Sequence, residues 1–344
     1  MRLVRTAFLA TTILASSTTF AQADAKVIAS IKPVHSLVAA VMEGVGTPDL
    51  LVEGAGSPHT YSLKPSQARK LQDADLVFWM SHDLEAFLEK SIEGIATDAK
   101  SVPLMDTHGL IKLDFREGGA FDAHAHDDHD DHDDHDDHDD HGHDDHDDHG
   151  HDDHDDHKKD DHGHDDHDDH GHDETDPHVW LDPVNAKALV HEIEEALIEA
   201  DPANAAAYEA NAETMMSRLD DLVAEIDAEL QPVKGRGYVV FHDAYQYFEN
   251  RFGVSAVGSI TVSPEVLPGA ERVAELREKV RNLDATCVFS EPQFEPKLVT
   301  TITENTNAGT GVLDPLGASI DDGPGLYFTL IRNMAKSLKD CLLK

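Results

Sequence analysis

Pro202 to Leu230 reads PANAAAYEANAETMMSRLDDLVAEIDAEL, 29 residues with no Pro or Gly after the first position and apolar residues near helical spacing. A single helix of that length spans about 43 Å at ~1.5 Å per residue. On both sides of it the chain alternates between short apolar runs and amphipathic runs. Upstream these are AKVIASI (25–31), PVHSLVAAVM (33–42), DLLVEG (49–54), PSQARKLQDA (65–74), DLVFWM (75–80) and LEAFLEKSIEGI (84–95), and a helix follows the turn at Asp182-Pro183. Downstream come YVVFH (238–242), a helix in DAYQYFENRFG, SAVGSITV, PGAERVAELREKVRNL, ATCVFSEPQF, PKLVTTITENT, GTGVLDPLG and a last helix near Leu326–Leu342. Alternation of this kind is the signature of βαβ units and a parallel sheet. The predicted fold is therefore α/β: two lobes, each a mainly parallel sheet flanked by helices, joined by one long rigid helix. The expected division is 24–200 for the first lobe, 201–231 for the connector and 232–344 for the second lobe.

The first 23 residues carry Arg2 and Arg5, then an apolar segment, then Ala21-Gln22-Ala23. This is the order of a secretory signal peptide, and cleavage is expected after Ala23. The apolar segment is too short to span a bilayer, and no later stretch approaches the ~20 apolar residues a membrane helix needs. The mature chain is thus expected to be exported and soluble, with no cysteine near the cleavage site to take a lipid. Export places the only two cysteines, Cys287 and Cys341, in an oxidising compartment. One disulfide between them is the economical reading, with two buried free thiols as the alternative.

Within the first lobe lies a run unlike the rest, expected to occupy about 116–175. From Asp122 to Asp173 it holds 18 of the 25 histidines and 26 aspartates against two lysines, about −24 of the formal net charge of −42. Its period of three aligns histidines on a polyproline-type helix and scatters them around an α-helix. Without apolar residues to bury it cannot offset the entropy of ordering, so disorder is expected. Imidazoles beside carboxylates bind divalent transition metals weakly and at many places. The accessory donors are His129, His132, His135, His138, His141, His143, His146, His149, His151, His154, His157, His162, His164, His167, His170 and His172. The rest of the chain is also acidic, which argues against nucleic acid or anionic membrane as a partner and favours cations.

A selective site must come from the seven remaining histidines. His59 lies in the Gly/Ser/Pro loop GAGSPHTYSLKPS after an apolar run, His178 in DPHVWLDP, and His242 at the end of YVVFH, where Asp243 is placed to cap the next helix. In an open α/β sheet, ligands gather at or past the C-terminal ends of strands. These three therefore suggest a three-histidine site in a cleft between the lobes. His35 is expected to pack on its helix, and His82 and His108 to be loop surface. His191 opens HEIEE, which misses the H-E-x-x-H protease pattern because position 195 is Glu.

The segments SPHTYSLKPSQARKLQDADLVFW, DPHVWLDPVNA, VVFHDAYQYFENRFG, SPEVLPGAERVAEL, CVFSEPQF and LDPLG resemble the ZnuA family, the zinc-binding periplasmic components of bacterial ABC transporters. The likeness covers essentially the whole mature chain, and a His-rich acidic insertion in the first lobe is itself a family habit. By that resemblance His59, His178 and His242 are zinc ligands and Cys287 pairs with Cys341. Some members carry a glutamate just before the first histidine, where Pro58 stands here. The fourth ligand is then Asp314, in LDPLG, or water. Three imidazoles favour Zn²⁺ over Mn²⁺. The implied activity is capture of Zn²⁺ in the periplasm by a monomer that delivers it to an ABC permease, with the His/Asp-rich run as collector or sensor. A zinc hydrolase and a stand-alone extracellular metal buffer or adhesin are the competing classes. Neither G-x-S-x-G nor H-E-x-x-H is found for the former.

Overall fold

The computed structural model describes residues 25–116, 175–261, 270–282 and 286–344. The leader and the accessory histidines lie outside them. In the N-terminal half β1 (Val27–Ala29), α1 (Lys32–Val41), β2 (Asp49–Leu50), α2 (Pro65–Gln72), β3 (Leu76–Trp79), α3 (Ala86–Ile95) and β4 (Lys100–Pro103) build a sheet of order β2-β1-β3-β4. Every pairing in it is parallel. β1 and β3 are buried along their whole length, as strands covered on both faces by helices must be. Next come α4 (Pro183–Ala200) and α5 (Ala205–Leu230). The C-terminal half repeats the plan with β5 (Tyr238–His242), α6 (Gln246–Phe252), β6 (Ala256–Thr261), α7 (Ala270–Asn282), β7 (Cys287–Ser290), α8 (Pro296–Thr303), β8 (Gly309–Val312) and α9 (Leu326–Leu342). Its sheet has the order β6-β5-β7-β8, again all parallel.

The long helix starts three residues later than its sequence suggests. Pro202–Asn204 forms a 3-10 turn, held by Asp201, whose Oδ2 accepts from Asn204 Nδ2 (2.6 Å) and the Tyr208 hydroxyl (3.0 Å). The 26 residues of α5 bury one seam, Tyr208, Ala212, Met215, Leu219, Leu222, Ile226 and Leu230, at the i+3/i+4 spacing that keeps side chains on one face. That seam packs on α1 and α4 of the first half and on α9 of the second. One apolar cluster therefore runs from Val27 to Leu342, and α5 is the shared floor of both lobes as well as the link between them.

Polar contacts tie the halves on the cleft side. Lys32 at the start of α1 donates to the Ile320 carbonyl (2.7 Å) and sits 3.0 Å from Asp322. Ser36 donates to the Gly323 carbonyl and accepts from the Tyr327 amide. Asp182 caps α4 by accepting from the Val184 amide (2.8 Å) and also takes two 2.7 Å bonds from Arg251 of α6. The disulfide Cys287–Cys341 joins β7 to α9. Strands flanking the His/Asp-rich insertion reduce to one antiparallel bridge, Asp114 to Thr175. Among the described residues no helix is long and apolar enough to cross a membrane.

Candidate metal centre

His59 stands on the 3-10 turn Pro58–Thr60. The loop that carries it folds tightly: a Cβ on Gly56 would meet the Val52 side chain at 3.0 Å and the Tyr61 ring at 3.1 Å, so a larger residue there would have to push these side chains aside. Its return is pinned at the Leu51 carbonyl, which accepts from the Tyr61 hydroxyl (3.1 Å) and Gln67 Nε2 (2.5 Å). His178 opens the 3-10 turn Val179–Leu181 rather than following a strand, because the chain arriving from the insertion pairs only through that single bridge. His242 ends β5, as expected.

The three rings converge, with centroid separations of 5.5 Å (His59–His178), 5.8 Å (His59–His242) and 5.3 Å (His178–His242). One ligand atom from each lies within 4.8 Å of the other two, so the group could hold a metal ion. His178 and His242 are each only 4% exposed. Asp176 Oδ1 accepts from the His178 amide (2.9 Å) and pairs with its Nδ1 at 2.6 Å. Glu291 Oε1 pairs with His242 Nδ1 at 2.7 Å. A carboxylate on Nδ1 fixes the tautomer with a proton there and leaves the Nε2 lone pair for a metal. His242 Nε2 is buried and has no hydrogen-bond partner among the described residues, as a nitrogen kept for a metal would be. Burial pushes the His242 pKa down, but the carboxylates of Glu291, Asp243 and Asp176 outweigh it and hold the value above that of an ordinary imidazole. Ser57, Pro58, Trp180, Gln293, Phe294, Pro315 and Leu316 complete the pocket wall.

Asp314 lies outside the histidine group. Its Oδ1 accepts from the amides of Leu316 (3.1 Å) and Gly317 (2.9 Å) and from Gln293 Nε2 (3.0 Å), and its Oδ2 from the Ala318 amide (2.6 Å). Pro315 and Leu316, its neighbours in the chain, reach the pocket wall. Asp243 does not cap α6, which begins at Gln246. It is drawn instead into an ion pair with Arg116, whose Nε lies 3.0 Å from Asp243 Oδ2 and whose Nη1 lies 2.6 Å from Glu249 Oε2. A fully charged partner for a carboxylate only 4% exposed outweighs the modest gain of a cap. His35 is buried with Nε2 3.1 Å from the Pro48 carbonyl, while His82, His108 and His191 are exposed.

Sequence reasoning missed Asp176, Glu291 and Arg116. Asp176 has a local signal, a carboxylate two residues before a histidine. Glu291 has only a topological one, being the first residue after β7, the neighbour of β5.

Residues 27–341 match the family described as "ZnuA: Zinc-uptake complex component A periplasmic". A high-affinity zinc uptake system protein ZnuA from Brucella suis is 54% identical over 346 residues, covering all of both chains. The ZnuA protein of Yersinia pestis is 34% identical over 98% of each. A crystal structure of ZnuA shares the fold with a TM-score of 0.66 at 22% identity, covering 93% of this chain and 99% of that one. By its sequence from end to end and by its two parallel sheets, this chain belongs to the ZnuA family of periplasmic zinc-uptake components.

Proposed function

We propose that this protein captures Zn²⁺ in the periplasm and delivers it to the permease of an ABC transporter, with His59, His178 and His242 as the ligands. The observation that carries this reading is the convergence of three imidazoles, two of them backed by carboxylates, on one point of a largely buried pocket. Neutral imidazoles at ~2.0–2.1 Å suit Zn²⁺, and three of them disfavour Mn²⁺, which prefers oxygen donors. Asp314 or a water takes the fourth position. Asp314 lies outside the group of three rings, so for it to coordinate, its carboxylate must move toward them. The zinc is cargo, and no residue at the site is assigned a catalytic role.

The leader is cleaved after Ala23, the mature chain works as a monomer, and the His/Asp-rich run collects or senses zinc at low affinity. Zinc titration against a competing chelator tests the assignment, comparing the mature protein, a deletion of 122–173, and His59→Ala. The deletion is expected to keep one tight site and lose the weak stoichiometry. His59→Ala is expected to weaken the tight site by roughly a hundredfold or more, beyond the 10–100-fold typical of losing a partner that only supports a ligand. A deletion without a tight site would move the binding element to the His/Asp-rich run.

A further inference from the structure

We propose that Glu291 is the positioning residue that sets the strength and metal preference of the site, acting through His242; the inference rests on the metal-site reading above. Strand order places it there. In a sheet of order β6-β5-β7-β8 the connections leave in opposite directions at β5 and β7, and the crevice between those two C-terminal ends is where such sheets bind ligands. β5 and β7 pair only at Tyr238↔Cys287 and Val239↔Val288, while β5 stays paired with β6 as far as His242↔Thr261. β5 therefore parts from β7 before it reaches His242, and the Glu291 side chain bridges the opening.

Glu291 is 3% exposed. One oxygen, Oε1, meets both the ring Nδ1 of His242 (2.7 Å) and its backbone amide (3.3 Å), so ring and main chain are clamped by the same atom. The other oxygen, Oε2, is buried and takes no well-formed hydrogen bond from the described residues, the neighbouring Tyr245 hydroxyl donating to the Leu313 carbonyl (3.3 Å). Asp176 offers the contrast, because its second oxygen accepts from Gln246 Nε2 at 2.7 Å. A buried carboxylate with an unmatched oxygen is costly unless positive charge arrives nearby. Three neutral imidazoles backed by two carboxylates leave room for a charge of two, which a divalent ion supplies. The negative charge behind Nδ1 also makes Nε2 a stronger donor. That gain is larger for Zn²⁺, which binds imidazole well, than for Mn²⁺, which favours oxygen.

Chelator competition with Zn²⁺ and with Mn²⁺, together with the visible spectrum of the Co²⁺-loaded protein, tests this on the whole mature chain carrying Glu291→Gln, Glu291→Asp or His242→Ala. Glu291→Gln keeps an acceptor for Nδ1 but removes the charge. It is expected to weaken zinc roughly 10–100-fold, to reduce the preference for Zn²⁺ over Mn²⁺, and to shift the Co²⁺ bands, with partial recovery in Glu291→Asp. A general loss of stability would lower both metals alike and leave the bands in place, and that outcome overturns the proposal. Unchanged zinc affinity in Glu291→Gln beside a large loss in His242→Ala also overturns it, with the metal site intact. Tight binding that survives His242→Ala removes the site reading itself and this inference with it. If neither Glu291 variant folds, Glu291 is a structural residue and the proposal fails.

Discussion

The two sheets share one topology and use its crevice in opposite ways. In the C-terminal sheet the parting of β5 and β7 opens onto the candidate metal pocket and is bridged by His242 and Glu291. The corresponding parting of β1 and β3 in the N-terminal sheet is shut: Ser30 follows β1, Met80 follows β3, and Glu85, 0% exposed, turns back to accept from the amides of Met80 (2.7 Å) and Ser81 (3.3 Å). The N-terminal half instead offers its histidines from two 3-10 turns outside its sheet. Topology provides a crevice in each half, and the side chains at its lip decide whether a ligand or a closed acid occupies it. The C-terminal wall takes its donor from a strand end, and the opposite wall takes its donors from turns.

The largest test of that division concerns the root of the insertion, which belongs to the first half by sequence but is held by the second. Leu113 and Asp176 bond to the Tyr247 hydroxyl, Asp114 accepts from Gln246, and Arg116 pairs with Asp243 and Glu249. Both acids are 4% exposed. Arg116→Ala strands two buried carboxylates, and breaking a buried ion pair in this way costs about 3–5 kcal/mol. Denaturant unfolding is expected to show that loss. A loss under ~1 kcal/mol would mean that the root is not fastened to the C-terminal half by this network.

The disulfide sharpens the comparison from the other side, since it braces only the C-terminal half. Its cysteines are 54 residues apart, and closing a loop of that size is worth about 4 kcal/mol at most in the chain-entropy account. Cys287→Ser combined with Cys341→Ser should lower stability by somewhat less than that. Hydrogen exchange should quicken in β7, β8 and α9 and stay unchanged in β1, β3 and α2. Equal quickening in both halves would show that the shared helix floor makes them one cooperative unit.

What could be read from the chain followed the range of the interactions. The strand and helix alternation and the long helix are written in residues a few positions apart, and His242 ends a strand that the alternation locates, whereas His59 and His178 stand on 3-10 turns outside the sheet. Pairings across the fold were not legible. Glu291 lies 49 residues from His242, and Arg116 lies 127 from Asp243. Nothing local at Asp243 says that an arginine from beyond its own half will take the carboxylate and leave α6 to begin three residues later. Asp314 shows the same limit: its place after a strand was readable, but not the turn whose amides its carboxylate accepts from.

The smallest expected effect probes the closed crevice. Burial pushes the Glu85 carboxyl up from an ordinary 4.5 to about 7, against the lowering effect of Ser30 and the two amides. The folded protein therefore holds this proton more tightly than the unfolded chain does. Its contribution to stability is complete below the unfolded value of 4.5 and declines as the pH climbs toward about 7. The decline is about 1.4 kcal/mol per pH unit, or roughly 3 kcal/mol over the whole window. Glu85→Gln cannot ionise and keeps an oxygen to accept from Met80 and Ser81. Many histidines titrate over the same range, but they are common to both proteins, so the difference between the two stability curves isolates position 85. Wild type is expected to lose stability relative to the variant between pH 4.5 and 7 and to run parallel to it at higher pH. Curves that stay parallel throughout would mean that Glu85 is solvated or paired in the folded state. The N-terminal crevice would then be open like its C-terminal counterpart, and the contrast between the two sheets would fall.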